Sequence, residues 1–187
     1  MVRRRLREAY SPDDLQLVYP HTYNHTIWED HRARITETVA FANDTFGDPT
    51  SIADLSCGDA AIPNGYAAAA KHTPEAVILG DFVAGHQYHG MIEDTIGQIP
   101  PVDVFILSET LEHVDDPDAL LTKIRAKAQR LILSTPLDET LPNAEHYWSW
   151  AGDDLYQMLV NAGWTPRAYR RLDYPQVDVR YQLWAAQ

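Results

Sequence analysis

The sequence predicts an α/β fold with a doubly wound, mostly parallel, seven-stranded sheet. Short apolar segments alternate with longer segments in which apolar residues recur at helical spacing, an order typical of strands joined by crossover helices. Residues 51–59 form a strand pattern that ends in an acid and then breaks into small residues. Residues 104–107 are a continuous apolar run, as expected of a parallel strand that is buried on both faces.

The first long helix is predicted to end at Phe46, because Ile35, Val39, Ala42 and Phe46 lie at helical spacing and a Gly-Asp-Pro sequence follows. A glycine likewise follows the last predicted helix, where it favours a C-terminal cap. The predicted helices cover residues 28–46, 64–71, 118–128 and 152–161.

Seven strands are predicted, at residues 51–55, 76–79, 90–92, 103–107, 130–134, 167–172 and 179–184. The connection after the second strand is unusually short for a doubly wound sheet. Only residues 82–93 separate Asp81 from Asp94, and Gly85 and Gly90 among them disfavour a regular helix. We therefore expect a shortened crossover on this side of the sheet.

Composition indicates a single domain over residues 1–187, in which residues 1–46 form an N-terminal arm, a lid and the first long helix. The arginines at positions 3, 4, 5 and 7 are expected to form a solvated arm. The formal net charge of −12 disfavours nucleic acid as a partner, because phosphates bind positive surfaces. The sequence does not determine the oligomeric state.

Cysteine usage and hydropathy favour a cytoplasmic protein. Cys57 is the single cysteine, so no internal disulfide can form. The chain also contains no apolar run long enough for a secretory signal or a membrane span, and we expect neither.

The loop after the first strand is a candidate ligand site. Ser56, Gly58, Ala60 and Ala61 are small, so a ligand can approach the backbone closely, and the following helix would present free N–H groups. Asp54, at the strand end, suits a cationic or hydroxyl-rich ligand. A tight connection without a ligand is the alternative, because small residues after a strand serve that purpose as well.

Three segments carry a resemblance to a known family. Asp54-Leu-Ser-Cys-Gly58 resembles the Asp-Leu-Gly-Cys-Gly-x-Gly loop of class I S-adenosylmethionine-dependent methyltransferases. Val77-Ile-Leu-Gly-Asp81 resembles the second strand of that family, whose terminal acid takes the ribose hydroxyls, and residues 102–113 resemble its fourth strand. The resemblance implies a Rossmann-like fold and S-adenosyl-L-methionine as cofactor. The cofactor site that it implies consists of Asp54, Ser56, Gly58, Asp81, Phe82, Asp94 and Ser108.

The loop departs from the family pattern at two positions. Ser56 stands in place of the first glycine, and Ala60 stands in place of the last. If Ser56 adopted a positive φ, the backbone would be strained and cofactor binding would be weakened. A catalytically decayed protein that binds a cofactor or serves as a scaffold is therefore an alternative.

Glu109, Glu112 and His113 form a candidate metal site. At spacing i, i+3 and i+4 they would share one face of a helical turn at the carboxyl edge of the sheet. His146 is available as a fourth ligand. Carboxylates and imidazoles together suit Mg²⁺, Mn²⁺, Fe²⁺ or Zn²⁺, so the sequence predicts one divalent metal ion.

This Glu-x-x-Glu-His pattern with a later histidine resembles the metal-dependent O-methyltransferases of ubiquinone biosynthesis and the small-RNA 3′-terminal 2′-O-methyltransferases. The resemblance implies that the metal grips the acceptor oxygens. In the metal-free alternative, His113 packs under the cofactor loop and His146 lies at the rim of an aromatic acceptor pocket. Without a metal, His113 or His146 would be the catalytic base for an oxygen acceptor.

A polar and aromatic cluster precedes the first long helix. Its members are His21, Tyr23, Asn24, His25, Trp28 and His31. We expect this segment to be a lid over the cofactor, and a segment that completes the core is the alternative.

The predicted function is S-adenosylmethionine-dependent O-methylation of a small molecule, because methyl transfer needs two oriented reactants and no covalent nucleophile. An RNA 3′-terminal 2′-O-methyltransferase is an alternative. Asp59 lies where the pyrophosphate of a nicotinamide cofactor would bind, which disfavours a reductase. The fourth strand is not followed by Asp-Pro-Pro-Tyr or Asn-Pro-Pro-Tyr, which disfavours methylation of DNA bases.

Overall fold

The computed structural model describes residues 3–22, 24, 27–139 and 143–187. Tyr23 and His25 of the predicted lid cluster lie outside the described residues. The strands are β1 (Arg4–Arg5), β2 (Ser51–Asp54), β3 (Ala76–Asp81), β4 (Tyr88–His89), β5 (Val102–Ser108), β6 (Ala128–Pro136), β7 (Trp148–Ser149), β8 (Pro166–Tyr174) and β9 (Val179–Ala186). The α-helices are α1 (Pro12–Val18), α2 (Glu29–Phe46), α3 (Ala61–Ala69), α4 (Ile92–Thr95), α5 (Pro117–Arg125) and α6 (Gly152–Asn161). Single turns of 3₁₀ helix lie at Leu111–His113 and Pro175–Val177.

The main sheet has seven strands in the order β4-β3-β2-β5-β6-β9-β8. The first five of these strands are parallel to one another, whereas β9 is antiparallel to both β6 and β8. The mostly parallel, doubly wound sheet predicted from the sequence is therefore confirmed. Because β2, β3, β5 and β6 run in the same direction, the loops that follow them meet at one edge of the sheet.

The sheet is buried on both faces. On one face Phe105 and Leu131 belong to a hydrophobic cluster that also includes Leu155 of α6. On the other face Ile52 and Val104 pack with a second cluster that includes Phe41 of α2 and Tyr66 of α3. The uninterrupted apolar run in β5 reflects this burial on both sides.

The shortened crossover after the second strand of the sheet is also confirmed. Only the six residues 82–87 connect β3 to β4, and they contain no helix. This short connection is possible because β4 pairs only with the last two residues of β3, so the chain need not return along the whole strand. Gly80 permits the close pairing, since a Cβ there would lie 2.9 Å from the Tyr88 Cβ.

The predicted strand at residues 90–92 is wrong. The strand in this region is β4 at Tyr88–His89, and Ile92 already begins α4. Gly90 separates the two elements with a φ of +134°, a backbone conformation that ends the strand. The other predicted strands and helices are present with bounds shifted by up to three residues, and the bounds of α6 agree with the prediction.

The N-terminal arginines do not form a solvated arm as predicted. Arg4 and Arg5 in β1 pair antiparallel with Ser149 and Trp148 in β7. The guanidinium groups of Arg3 and Arg5 lie 4.2 Å and 4.7 Å from the ring centroid of Trp148. Cation–π contacts and backbone pairing therefore hold this segment against the loop that precedes α6.

The buried face of α2 differs from the predicted one. Its buried side chains are Arg34, Thr38, Phe41 and Ala42, whereas Ile35 and Val39 pack only partly against the core. The buried face of α2 therefore begins, at its N-terminal end, with a charged residue, Arg34. None of the described helices is long and apolar enough to cross a lipid bilayer.

Candidate active site

A cavity of about 530 Å³ lies at the carboxyl edge of the sheet. It is formed by the loops after β2, β3, β5 and β6, together with α2 and the segment that precedes it. The residues predicted to be functional that line this cavity are Ser56, Gly58, Asp81, Phe82, Ser108, Glu109, Glu112, His113 and His146. The cavity therefore brings the predicted cofactor loop and the predicted metal ligands to one place.

Asp54 does not line the cavity, although the sequence predicts that it contacts the ligand. Its side chain is buried beneath the loop, where its carboxylate accepts the backbone N–H of Ser56 at 3.0 Å. Burial, reinforced by the charge of Asp81, raises the pKa of Asp54 to about 7. Asp54 thus supports the shape of the loop from below.

Asp54→Asn should gain stability relative to the wild type as the pH rises from 5 to 8. Because the pKa of about 7 in the folded state lies above the ordinary value of 3.8, the native state keeps its proton while the unfolded chain is already ionised, so the wild type loses stability as the pH rises from 5 to about 7. Asparagine does not titrate and still offers an acceptor to Ser56. We expect a relative gain on the order of 2–3 kcal/mol in urea unfolding, since each pH unit between 5 and 7 contributes about 1.4 kcal/mol. An equal pH dependence of both proteins would contradict a buried, titrating Asp54.

The predicted strain at Ser56 does not occur. Positive φ values in this loop belong to Gly58 and Ala60, at 53° and 58°. The Ser56 hydroxyl lies 2.7 Å from that of Thr110, which links the loop after β2 to the loop after β5. The backbone at Ser56 is therefore not strained. The strained position is Ala60, where the family pattern has a glycine and the left-handed conformation disfavours a side chain.

Asp81 connects the two loops on the cofactor side of the cavity. Its carboxylate accepts the backbone N–H of Gly58 at 2.8 Å and that of Val83 at 2.9 Å. The Gly58 carbonyl lies 2.8 Å from the Nε2 atom of His86, which follows β3. Asp81 is half-buried and faces the cavity, so its remaining lone pairs are available to a ligand.

Asp94 lies away from the cavity. Its side chain is exposed on α4 and does not line the site, so we leave it out of the candidate cofactor residues. Glu93, one position earlier, lines the cavity instead. Its Oε2 atom is buried and has no hydrogen-bond partner among the described residues. Burial raises the pKa of Glu93.

Arg34 is a cavity residue that sequence reasoning missed. It is 2% exposed, and its Nη1 atom donates to the Ser108 hydroxyl at 2.7 Å. Ser108 in turn lies 2.8 Å from the hydroxyl of Ser134. The Nε atom of Arg34 is buried and has no hydrogen-bond partner among the described residues. The sequence does contain a signal that could have identified Arg34. Together with Thr38, Phe41 and Ala42 it forms an i, i+4, i+7, i+8 pattern, which places this cation on the buried face of α2.

Glu112, His113 and His146 come together in the structure. Each offers one ligand atom, and these atoms all lie within 4.8 Å of one another. Glu109 does not share a helical turn with them as predicted, because the 3₁₀ turn begins at Leu111 and Glu109 precedes it with a φ of 51°. The side chain of Glu109 nevertheless lines the same cavity.

Both imidazoles are held through Nδ1. The Nδ1 atom of His113 lies 3.0 Å from the carbonyl oxygen of Glu145, and the Nδ1 atom of His146 lies 2.6 Å from Oε2 of Glu139. These acceptors favour a proton on Nδ1 and a lone pair on Nε2. The Nε2 atom of His146 also lies 3.1 Å from the Nδ2 donor of Asn143.

The pKa values of the two imidazoles move in opposite directions. Burial, aided by His146, lowers the pKa of His113 to about 3. Burial also opposes protonation of His146, but its hydrogen bond to Glu139 and the charges of Glu112 and Glu139 raise its pKa on balance. At neutral pH His113 is therefore a neutral imidazole.

Glu112 is buried and Glu109 is half-buried, and both carboxylates are short of hydrogen-bond donors. Glu112 accepts the Thr135 hydroxyl at 3.0 Å through Oε2, while its Oε1 atom and the Oε1 atom of Glu109 have no partner among the described residues. Burial and then the charge of Glu109 raise the pKa of Glu112 to about 8. Burial also raises the pKa of Glu109, and the charge of Arg34 opposes this. A divalent cation would give both oxygens a partner, so the donor set fits a metal.

Comparisons with known proteins agree with the geometry. The structure is similar to 1,6-didemethyltoxoflavin-N1-methyltransferase of Burkholderia thailandensis, solved with bound 1,6-didemethyltoxoflavin and S-adenosylhomocysteine. The TM-score is 0.69 over 96% of this chain and 91% of that one, at 16% identity. The structure also matches the N-methyltransferase NodS of Bradyrhizobium japonicum, solved with S-adenosylhomocysteine, with a TM-score of 0.67 over 92% and 94%, at 12% identity. The chain has the Rossmann-like methyltransferase fold.

The similarity to methyltransferases is found by comparing structures and not by comparing sequences. No protein-family model and no curated protein matches the sequence. The small RNA methyltransferase HEN1 also shares the fold, with a TM-score of 0.66 at 13% identity, over 88% of this chain and 26% of that one. At these identities the likeness establishes the fold, so the resemblance to the ubiquinone-biosynthesis enzymes remains a prediction.

The N-terminal segment of this methyltransferase fold contributes to the cavity wall. The lining residues from this part of the chain are Leu15, Tyr19, His21, Asp30, His31 and Arg34. His21 and His31 of the predicted lid cluster are among them, whereas Asn24 and Trp28 are not. Trp28 is 56% exposed. The segment therefore lies over one end of the cavity, as a lid would, and that role stays a prediction.

Proposed function

We propose that the protein is an S-adenosylmethionine-dependent methyltransferase that acts on a hydroxyl group of a small molecule. One observation carries this proposal. A single cavity is lined by the small-residue loop at Ser56 and Gly58, by the strand-end acid Asp81, and by the cluster of Glu112, His113 and His146. The presence of S-adenosylhomocysteine in structures with the same fold supports the choice of cofactor.

The polar groups of the cavity match those of the cofactor. Asp81 would accept the ribose hydroxyls, while Ser56, Gly58, Phe82 and Ser108 line the space beside it. The amino-acid end of the cofactor carries a carboxylate, and Arg34 is a buried cation at this cavity with an unpartnered Nε atom.

Glu93 is the candidate partner of the adenine amino group. Glu93 lines the same cavity, and its buried Oε2 atom has no hydrogen-bond partner in the described part of the chain. When bound, S-adenosylmethionine supplies an electrophilic methyl group. The protein then has to orient the acceptor in line with it and exclude water.

We further propose that Glu112, His113 and His146, with Glu109 beside them, bind one divalent metal ion. The unpartnered Glu109 and Glu112 oxygens support this assignment, as do the two imidazoles with protons on Nδ1. A metal bound by these residues would lower the pKa of an acceptor hydroxyl. In that case the same residues would hold the acceptor oxygen near the methyl group.

If the site works without a metal, His146 is the better candidate for the catalytic base. Its pKa is raised, so it can take a proton near neutral pH, whereas the pKa of His113, at about 3, makes that imidazole a weak base. Glu139 would hold the ring of His146 in place through Nδ1.

The charge of the cavity favours a small molecule over an RNA end. The carboxylates that line it are Asp30, Asp81, Glu93, Glu109, Glu112, Asp138, Glu139, Glu145 and Asp178. Among the described lining residues, the only Lys or Arg side chains are Arg34 and Arg180. A chain of phosphates would be repelled by this surface and by the net charge of −12.

Isothermal titration calorimetry with S-adenosylmethionine and S-adenosylhomocysteine tests the proposal. We expect both to bind with one site per chain, and labelled methyl groups to pass to members of a panel of small hydroxylated molecules. If neither compound binds, the proposal is wrong. Binding without transfer to any acceptor, with or without Mn²⁺, would instead favour the catalytically decayed binding protein.

A further inference from the structure

Tyr19 reaches the metal-ligand cluster from the N-terminal segment. It follows α1 and is 94 positions away from His113 in the sequence. Its hydroxyl donates to the Glu145 carboxylate at 2.9 Å and lies 3.3 Å from the Nδ1 atom of His113. The two rings meet edge to face, with centroids 6.3 Å apart and an interplanar angle of 84°.

The hydrogen bonds around Tyr19 have a definite direction. Because the hydroxyl proton goes to the Glu145 carboxylate, the lone pairs of the hydroxyl oxygen face a donor on His113. The Glu145 carbonyl accepts from the same Nδ1 atom at 3.0 Å. Two acceptors at Nδ1 place the proton there and leave Nε2 free, 3.9 Å from Oε1 of Glu112.

Residues other than Tyr19 also attach the N-terminal segment to the loop that contains Ala144 and Tyr147. The Leu6 N–H donates to the Tyr147 carbonyl at 2.7 Å, and the Tyr10 N–H donates to the Tyr147 hydroxyl at 3.0 Å. The Tyr10 hydroxyl donates to the Ala144 carbonyl at 3.0 Å. The hydroxyl of Tyr19 is therefore not needed to hold the segment in place, and its contacts serve the histidine.

We propose that Tyr19 is a positioning residue that fixes the tautomer and the orientation of His113, which makes the N-terminal segment part of the active site. The effect of Tyr19 on metal binding rests on the metal site of the proposed function. The contacts of Tyr19 with His113 and Glu145 are independent of that site. A neutral imidazole must present a lone pair to a metal, and hydrogen bonds to its other nitrogen secure this. Tyr19 acts through His113 and Glu145.

Tyr19→Phe tests this role, because it removes the hydroxyl and keeps the ring that packs on His113. Tyr10→Phe is the matched control, since it removes a hydroxyl that contacts the same loop but not the histidine. We expect Tyr19→Phe to weaken Mn²⁺ binding about tenfold in calorimetry, and Tyr10→Phe to leave it unchanged. S-adenosylhomocysteine should bind equally to both variants.

Ring-nitrogen NMR of the metal-free protein gives a second readout. In the wild type, His113 should show one protonated and one unprotonated ring nitrogen. In Tyr19→Phe only the Glu145 carbonyl remains as an acceptor at Nδ1, so the second tautomer should become populated and the two signals should move toward each other. Unchanged His113 signals in Tyr19→Phe would overturn the proposal, whether or not Mn²⁺ binds. Failure of S-adenosylhomocysteine to bind the wild type would count against the proposed function alone.

Discussion

Glu112→Ala should weaken Mn²⁺ binding by about 100-fold or more while S-adenosylhomocysteine still binds. The Glu112 side chain is 1% exposed, and its Oε1 atom has no partner among the described residues. Its removal takes away the carboxylate whose ligand atom lies within 4.8 Å of those of His113 and His146 in the candidate site. Calorimetry with Mn²⁺ and with S-adenosylhomocysteine measures the two effects separately.

Asp138→Asn is the control for that measurement. Asp138 also lines the cavity and, among the residues that the structure describes, its buried Oδ1 atom has no partner and it does not belong to the cluster of ligand atoms. Its substitution should leave Mn²⁺ affinity within about twofold of the wild type. If Glu112→Ala and Asp138→Asn bound Mn²⁺ with equal affinity, Glu112 would not be a metal ligand. The metal proposal itself would be wrong if a crystal soaked in Mn²⁺ showed no ion within about 2.5 Å of these side chains.

The affinity for Mn²⁺ should also rise between pH 6 and pH 8. Without metal, burial and the charge of Glu109 hold the pKa of Glu112 at about 8, so a metal that binds the carboxylate must displace a proton. Proton competition weakens as the pH approaches 8, which strengthens binding. A pH-independent affinity would indicate that Glu112 is already ionised in the folded protein.

Much of the sheet could be predicted because its signals are local. The apolar run in β5, the acid at the end of β3 and the glycine after α6 each lie within a few residues of the element that they define. The helix α1 also carried a local signal that was missed. Ser11 caps it by accepting the Asp14 N–H at 3.2 Å, and acidic residues follow in the first turn.

Pairings between distant segments could not be predicted from local patterns. The two-residue strands β1 and β7 are too short to show periodicity, and the contacts of Arg3 and Arg5 with the Trp148 ring that accompany their pairing form only in the folded chain. The same limit explains why β4 was misplaced. Its position depends on how closely Tyr88 approaches Gly80, which is a tertiary contact.

The candidate site was predictable where residues follow a strand end. His113 and His146 were grouped from their residue types, and the structure brings them to a centroid distance of 4.8 Å. Asp54 was assigned to the ligand because acids at strand ends often face one, but its short side chain turns back to the Ser56 N–H. Arg34 and Tyr19 reach the cavity from the N-terminal part of the chain, so sequence distance concealed both of them.

Asp81→Ala should weaken the binding of S-adenosylhomocysteine by about 10- to 100-fold. The carboxylate of Asp81 faces the cavity and holds the Gly58 and Val83 N–H groups, so alanine removes the proposed ribose acceptor and loosens the loop. Hydrogen bonds to a charged group contribute roughly 1.5–3 kcal/mol each. Asp81→Asn keeps one acceptor oxygen and should show a smaller loss. Calorimetry with S-adenosylhomocysteine measures all three proteins.

Asp94→Ala is the matched control, since Asp94 is an exposed acid near the same sheet edge that does not line the cavity. The affinity of Asp94→Ala for S-adenosylhomocysteine should equal that of the wild type.

A 2′,3′-dideoxy analogue of S-adenosylhomocysteine separates ribose recognition from loop support, because it lacks the hydroxyls whose hydrogen bonds Asp81 would accept. The wild type and Asp81→Asn should bind this analogue with similar affinity. If Asp81→Asn weakens binding of the analogue as much as it weakens binding of S-adenosylhomocysteine, Asp81 supports the loop and does not bind the ribose.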